Sequence, residues 1–435
     1  VISGRYALAG IVVLALALRL AFVGSRDRPL FSDEIAYDDL ARTMVTTGGY
    51  SDEGHPTAYR TIGYPAFVAG IYALAGPEPG RVRAAQAVLG AASSALLYGI
   101  AGGGAVGLWA AGIWALYPPA ILYTDLLMPE SLFVFVLLLA LLTWTRARTP
   151  EGGPIALGAL LGAMTLIKAQ AVLLLAALPL AAHALGRRPT RWGLVIAGAA
   201  LVLLPWIARN TLRFGRPTLV TSVGANLLIG NNPFATGGYT ARLPANMKPT
   251  STDEAVAQDQ AIEEATTYIA DHPGRFFERG VRSLAHLAAT EGGMVVWGFH
   301  PSPGESKARL REKIREVPLG YHVAISGSYV ALLLTGMWGS LAAPRSDLKA
   351  AFLALLGSWI AVHFVFYGGS RYHFPLMPFF SVFAASVLAG ATGAADQPPL
   401  RLRRWGWIAY ALLVAGLCGV WAGEYWVVLG GSGGS

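Results

Sequence analysis

The stretch RYALAGIVVLALALRLAFVGSRDRPLFSDEIAYDDLA (5–41) sets how the chain is read. Residues 5–24 are apolar apart from Arg5 and Arg19, and about 20 such residues are what it takes to cross ~30 Å of hydrocarbon. The run then enters a polar loop in which Asp33 and Glu34 stand side by side. The same alternation recurs along the chain. Of 435 residues 54% are apolar and 13% charged, with mean hydropathy +0.50, whereas a soluble chain is about one-quarter charged. The expected class is an all-α polytopic membrane protein.

Eleven stretches read as spans: 5–24, 84–101, 106–122, 129–145, 153–167, 170–186, 191–208, 319–341, 348–367, 373–391 and 405–428. Two more, 63–76 and 283–298, are ambiguous, the first being short and the second broken by Glu291 and Gly292-Gly293. Short loops rich in Lys and Arg face the cytoplasm. Four connections qualify, carrying Arg146 and Arg148; Arg187, Arg188 and Arg191; Arg345 and Lys349; and Arg401, Arg403 and Arg404. Eleven spans with an inside N-terminus put all four on one side, and promoting one ambiguous stretch would break that agreement. Both are therefore read as juxtamembrane or re-entrant helices.

Three units follow. Residues 1–208 form an N-terminal membrane module with a long first outer loop, 25–83. Residues 209–318 form an extracytoplasmic segment, and 319–429 form the C-terminal spans. Residues 430–435 (Gly-Gly-Ser-Gly-Gly-Ser) read as an artificial linker. In the middle segment, Ser251 to Glu254 resembles a capping box opening an amphipathic helix to about Ala270, stopped at His272-Pro273. A single cysteine, Cys418, excludes an internal disulfide and a cysteine-based zinc site. The net charge of +8 is not gathered into a run that tracks a nucleic-acid backbone.

Ionisable residues near membrane depth are costly and point to function unless a partner explains them. Asp33, Glu34, Arg60, Asp125, Glu130, Lys168, Arg209, Arg371 and His373 all fall at the expected outer end of the bundle. A lone Arg or Lys at a span end usually snorkels to the headgroups, and Arg19 is read as snorkelling or paired within the bundle. Short outer loops should nevertheless be poor in Arg and Lys, and Lys168, Arg209 and Arg371 go against that trend. Carboxylates can take a proton from a hydroxyl or hold a divalent metal. Arg and Lys can stabilise charge growing on a phosphate leaving group. No Walker-type Gly-x-x-x-x-Gly-Lys-Ser/Thr is present. A lone membrane-edge His such as His363 or His373 is usually hydrogen-bonded rather than a metal ligand.

Four stretches together resemble the GT-C glycosyltransferases that use polyprenyl-phosphate-linked sugars (family-39 type), a group that includes lipid A aminoarabinose transferases and protein O-mannosyltransferases. These are Phe31 to Ala41 with Tyr59-Arg-Thr-Ile-Gly-Tyr-Pro; Tyr117-Pro-Pro through Met128-Pro-Glu-Ser; Pro205-Trp-Ile-Ala-Arg-Asn with Gly224 to Pro233; and Arg371-Tyr-His-Phe-Pro. The resemblance implies a GT-C fold and inverting sugar transfer at the extracytoplasmic face. Asp33 would be the general base, with Glu34 beside it, and Glu130 the second acidic residue, orienting acceptor or sugar. Arg60 would approach the donor phosphate, with Lys168, Arg209 and Arg371 as further members of that cradle. Tyr59, Asp125, Asn210, Tyr372 and His373, in or beside these stretches, are expected to contact substrate. No metal is expected to be required; the alternative is Mg²⁺ or Mn²⁺ at Asp33, Glu34 or Glu130.

The expected partners are a polyprenyl-phosphate sugar donor, a lipid, glycan or protein acceptor, and membrane lipids, with no nucleic acid, in a monomer. The neighbouring domains of the larger family members are not represented in these residues, so the resemblance implies no particular acceptor. High Ala, Gly and Arg usage points to a GC-rich bacterial source, and the expected location is the bacterial inner membrane. Two other readings stay open: a lipid-linked sugar transporter or flippase, and a ligase of similar fold that uses a pyrophosphate carrier. The first usually shows inverted repeats and charges at mid-bilayer, and neither is seen in the sequence.

Overall fold

The computed structural model describes residues 2–26, 28–146, 152–186, 191–299, 317–394 and 400–428. Expectations that rest on the side chains of Arg146, Arg148, Arg187 and Arg188, on residues 300–316 or on the linker at 430–435 lie outside the described residues. The described chain is almost all helix. α1 (Ile2–Gly24) leads into α2 (Asp33–Thr47), a two-residue hairpin, α3 (Gly63–Ala75) and α4 (Pro79–Ile100). α5 (Gly104–Leu116), α6 (Pro118–Asp125), α7 (Glu130–Arg146), α8 (Gly152–Ile167), α9 (Leu174–Ala184) and α10 (Trp192–Phe214) complete the first half. The middle segment holds α11 (Val223–Gly230), α12 (Glu254–Asp271), α13 (Pro273–Leu287) and α14 (Gly292–Phe299). α15 (Leu319–Ala342), α16 (Asp347–Val365), α17 (Met377–Ala391) and α18 (Arg404–Val428) close the chain.

Among the described residues six stretches are long and apolar enough to cross a membrane singly: Gly4–Gly24, Trp192–Phe214, Leu319–Ala342, Asp347–Val365, Ser370–Ala391 and Arg404–Glu424. The bent pair α5 and α6 makes a seventh. The other four stretches read as spans are also helical. Three of them are shorter apolar helices, and α4 buries Arg83, Gln86, Ser93 and Ser94.

One row of packed helices runs α1, α4, α7, α8, α10; a second runs α5, α17, α15, α18. α8 and α10 approach most closely, because Gly158 and Gly198 each sit against the other helix's backbone, where a Cβ would not fit. Small residues at such a seam let two backbones meet without a polar penalty.

The bend of 49° between α5 and α6 has a local cause. Pro118 and Pro119 have no N–H, so the carbonyls of Trp114 and Ala115 lose their usual i+4 donors. Arg19 of α1 replaces both, donating Nη2 to Trp114 O at 3.0 Å and Nη1 to Ala115 O at 3.1 Å. It is fully buried against Gly90. Arg19 is thus paired inside the bundle, one of its two expected settings.

The middle segment corrects one expectation. The cap of α12 is Asp253, whose Oδ1 accepts from Ala255 N at 2.8 Å and Val256 N at 3.0 Å. Ser251 is therefore not the capping residue. Glu254 reaches away instead, accepting from Ala58 N (2.9 Å) and Thr221 Oγ1 (2.7 Å) and so tying the first loop to the middle segment. The ambiguous stretch at 283–298 is two helices, α13 and α14, with a break at 288–291.

Candidate active site

Asp33 is the first residue of α2 and Glu34 the second, so their side chains leave the helix about 100° apart. The turn before them is strained. Ser32 sits at φ 53°, ψ −116°, a region that side-chain-bearing residues rarely occupy, and makes no side-chain cap. Strain of this kind persists only where surrounding contacts over-determine the backbone.

Those contacts converge on Glu34, which is 0% exposed. Arg28 grips it bidentately, Nη1 to Oε2 at 2.8 Å and Nη2 to Oε1 at 2.6 Å. Leu127 N donates to Oε1 at 2.7 Å and Phe31 N to Oε2 at 3.2 Å. The same Arg28 donates Nε to Asp125 Oδ2 at 2.8 Å, while Arg83 lies 3.6 Å from Oδ1 and Arg26 3.9 Å from Oδ2. Two buried carboxylates and three arginines thus rivet the first loop to the α6–α7 turn. Glu34 and Asp125 both face into this anchor, away from the partly exposed cluster around Asp33.

Asp33 faces the other way. Its Oδ1 accepts from Arg60 Nη2 at 3.2 Å and its Oδ2 from Arg371 Nη1 at 2.9 Å. All three side chains keep partial exposure: 16% for Asp33, 24% for Arg60, 23% for Arg371. Arg60 lies over the Tyr37 ring at 4.8 Å, and Arg371 lies 5.0 Å from the Tyr372 ring and 5.9 Å from that of Trp297. Burial opposes the Arg60 charge, and the ion pair with Asp33 favours it. Burial pushes the Tyr37 and Tyr59 phenols up, so both stay neutral hydrogen-bonding groups.

Lys168 and Glu130 stand beside this cluster. Their charges meet at 2.9 Å, and Glu130 is almost wholly buried. The field of Glu130 reaches both Tyr37 and Arg371. The Arg60 loop is brought to this point by the end of α8, with Thr61 Oγ1 donating to Ile167 O at 3.0 Å. Gly63 lies against the Leu166–Ile167 backbone with no room for a Cβ.

The remaining expected residues divide. Tyr59 is substantially exposed beside Arg60. Tyr372 stacks on His363 with ring centroids 4.5 Å apart and accepts from Arg371 at 3.4 Å. Arg209 donates to Tyr50 O at 2.6 Å and Thr57 O at 2.7 Å, and Asn210 is fully buried, donating to Thr218 O at 3.0 Å. Both hold loop backbone, unlike Arg60 and Arg371, which face Asp33. His373 is buried under Tyr329 and faces Glu291.

Among the described residues no three His, Cys, Asp or Glu side chains converge on a metal position. Asp33, Glu34 and Glu130 each face a different cation. As placed, these three carboxylates do not converge on one Mg²⁺ or Mn²⁺ position. The anchor residues Arg26, Arg28 and Arg83 went unnoticed in the sequence. Arg26 and Arg28 break the outer-loop charge trend as plainly as Lys168 does, and that was their available signal.

Residues 55–208 match the family model described as dolichyl-phosphate-mannose-protein mannosyltransferase. The match bears out the GT-C resemblance. It takes in Arg60, Glu130 and Lys168; Asp33 lies before it and Arg371 beyond it. No curated protein matches the chain in sequence. Among solved structures, the oligosaccharyltransferase of Archaeoglobus fulgidus in its apo form aligns at TM-score 0.49 and 16% identity over 98% of this chain and 55% of that one. ArnT from Cupriavidus metallidurans bound to undecaprenyl phosphate aligns at TM-score 0.44 and 13% identity over 88% of this chain and 79% of that one. The chain therefore spans about half the length of the archaeal protein.

Proposed function

We propose that the chain transfers a sugar, with inversion, from a polyprenyl-phosphate-linked donor to a lipid, glycan or protein acceptor at the extracytoplasmic membrane face. The observation that carries this reading is Asp33 held between Arg60 and Arg371, with Lys168 alongside. Asp33 takes the proton of the acceptor hydroxyl or amine as that atom bonds to the anomeric carbon. The bond from that carbon to the phosphate oxygen breaks, and its electron pair leaves with the phosphate. The leaving phosphate gains one negative charge, which the guanidinium and ammonium groups around it stabilise.

In the structure Arg60 and Arg371 each occupy one oxygen of Asp33. A donor phosphate competes for the same two guanidinium groups. Drawing them away frees an Asp33 oxygen to accept the proton of the attacking group, so the donor itself prepares the base. Glu130, paired to Lys168, orients the acceptor or sugar.

The test is transfer from a polyprenyl monophosphate sugar by the purified chain, with product found by mass spectrometry. Transfer lost in Asp33→Asn at normal folded yield is the expected outcome. Full activity in that variant removes Asp33 as the base. Activity only with pyrophosphate-linked donors identifies a ligase, and sugar movement across vesicles without product identifies a transporter.

A further inference from the structure

The break between α13 and α14 is irregular backbone packed inside the bundle, where each free carbonyl or amide needs a protein partner. Ala288 O accepts from Tyr329 Oη at 3.1 Å and Trp421 Nε1 at 3.0 Å, and Thr290 N donates to Glu424 Oε2 at 2.7 Å. Leu287 O accepts from His373 Nδ1 at 2.8 Å. Satisfying this backbone would be reason enough for most of these side chains. His373 and Glu291 do more than that.

His373 Nδ1 faces a carbonyl and must carry hydrogen. Its Nε2 lies 3.1 Å from Glu291 Oε1, so those two atoms share one proton, whichever holds it. The imidazole is stacked on Tyr329 with centroids 4.2 Å apart and planes 12° from parallel. Glu291 is fully buried, and its Oε2 has no hydrogen-bond partner among the described residues. His373 is therefore held by a carbonyl, a carboxyl and a ring face at once.

His373 lies in the 3-10 turn Ser370–Leu376, two residues after Arg371. Two residues of such a turn are about 240° apart, so the ring enters the bundle while the guanidinium reaches Asp33. Glu291 immediately precedes α14, whose Trp297 lies under Arg371. We propose that the His373–Glu291 pair is a positioning device that locks the 3-10 turn to the α13–α14 break and so sets where the Arg371 guanidinium sits. The inference rests on Arg371 serving the donor phosphate, as proposed above.

The experiment measures binding of a polyprenyl monophosphate to the full chain in detergent, by intrinsic tryptophan fluorescence, with thermal unfolding recorded on every sample. Replacing both partners together, His373→Phe with Glu291→Leu, keeps the stack on Tyr329 and leaves no buried charge unpaired. The expected result is about 10- to 100-fold weaker binding by a folded protein, the scale of a misplaced contact. In an Arg371→Ala background the same pair of substitutions should change the affinity by less than about twofold. Glu291→Gln alone, whose amide can donate to the neutral ring, should restore most of the affinity. If the double variant does not fold, His373→Asn keeps the bond to Leu287 and drops the one to Glu291, and carries the same expectation. Unchanged affinity in the double variant and in His373→Asn, or an equal loss with Arg371 already removed, overturns the inference. No binding by the wild type, or none of it sensitive to Arg371→Ala, strikes instead at the reading beneath it.

Discussion

Asp33 and Glu34 are adjacent in sequence, open the same helix and are both paired with arginine, yet they end in opposite settings. Glu34 has one arginine from six residues away, two backbone amides and no exposure to water. Asp33 has two arginines brought from 27 and 338 residues away, at a surface that stays partly wet. The difference lies in what a break would cost. Opening the Glu34 cluster would strand charges in a dry interior, where removing one partner costs about 3–5 kcal/mol. Opening the Asp33 pairs costs far less, because water screens part-exposed ion pairs. A site that must exchange partners with a charged substrate needs the second kind, held in place by the first.

The sharpest way to break this comparison is to cross the two positions. Asp33→Asn should lower transfer by about 10²–10⁴-fold, the usual worth of a general base, while the thermal midpoint in detergent stays near wild type. Glu34→Ala should do the reverse and lower folded yield and thermal midpoint, as expected for about 3–5 kcal/mol lost with a buried partner. Protein that does fold should retain measurable transfer. Equal instability at both positions would mean that Asp33 is as structural as its neighbour.

The sequence could not separate these two residues. Hydropathy and charge placed both at the outer end of the first span, and the resemblance put Asp33 first, but neither says which carboxylate turns inward. That depends on Arg28, whose only local signal was an arginine in a loop expected to lack them, and on the strained turn at Ser32. Helix positions were legible, since all eleven stretches read as spans are helical. That Asp33 and Arg60 share the same end of the bundle was legible too, but their pairing was not. The roles of Arg209 and Asn210 were not legible, because an arginine that binds carbonyls and one that binds phosphate look alike in a sequence. The two prolines opposite Arg19 lie in between. They announce two missing donors, but only the packing of α1 on α5 reveals what supplies them.

A smaller effect tests whether the Glu130–Lys168 pair stands with Asp33 or with the anchor. Glu130 is as buried as the anchor carboxylates, yet its partner Lys168 retains some exposure. If Lys168 serves the phosphate, Lys168→Met should raise the donor KM about tenfold, near the lower bound for one charged hydrogen bond, with acceptor KM unchanged. A loss confined to stability would instead move the pair into the anchor group.

The smallest effect concerns Arg209, which shares its residue type and membrane depth with the phosphate candidates. Its guanidinium is committed to Tyr50 O and Thr57 O and packs 5.1 Å from the Trp206 ring. Arg209→Gln should therefore cost about 1 kcal/mol, since charged hydrogen bonds are worth more than that when buried and lose part of it at a half-exposed site. The loss should appear as a lower thermal midpoint with an unaltered donor KM. Arg371→Gln supplies the contrast, raising donor KM with little change in midpoint. If Arg209→Gln also raises donor KM, the carbonyls of the first loop are not its only task, and the boundary between anchor and site runs through Arg209 rather than around it.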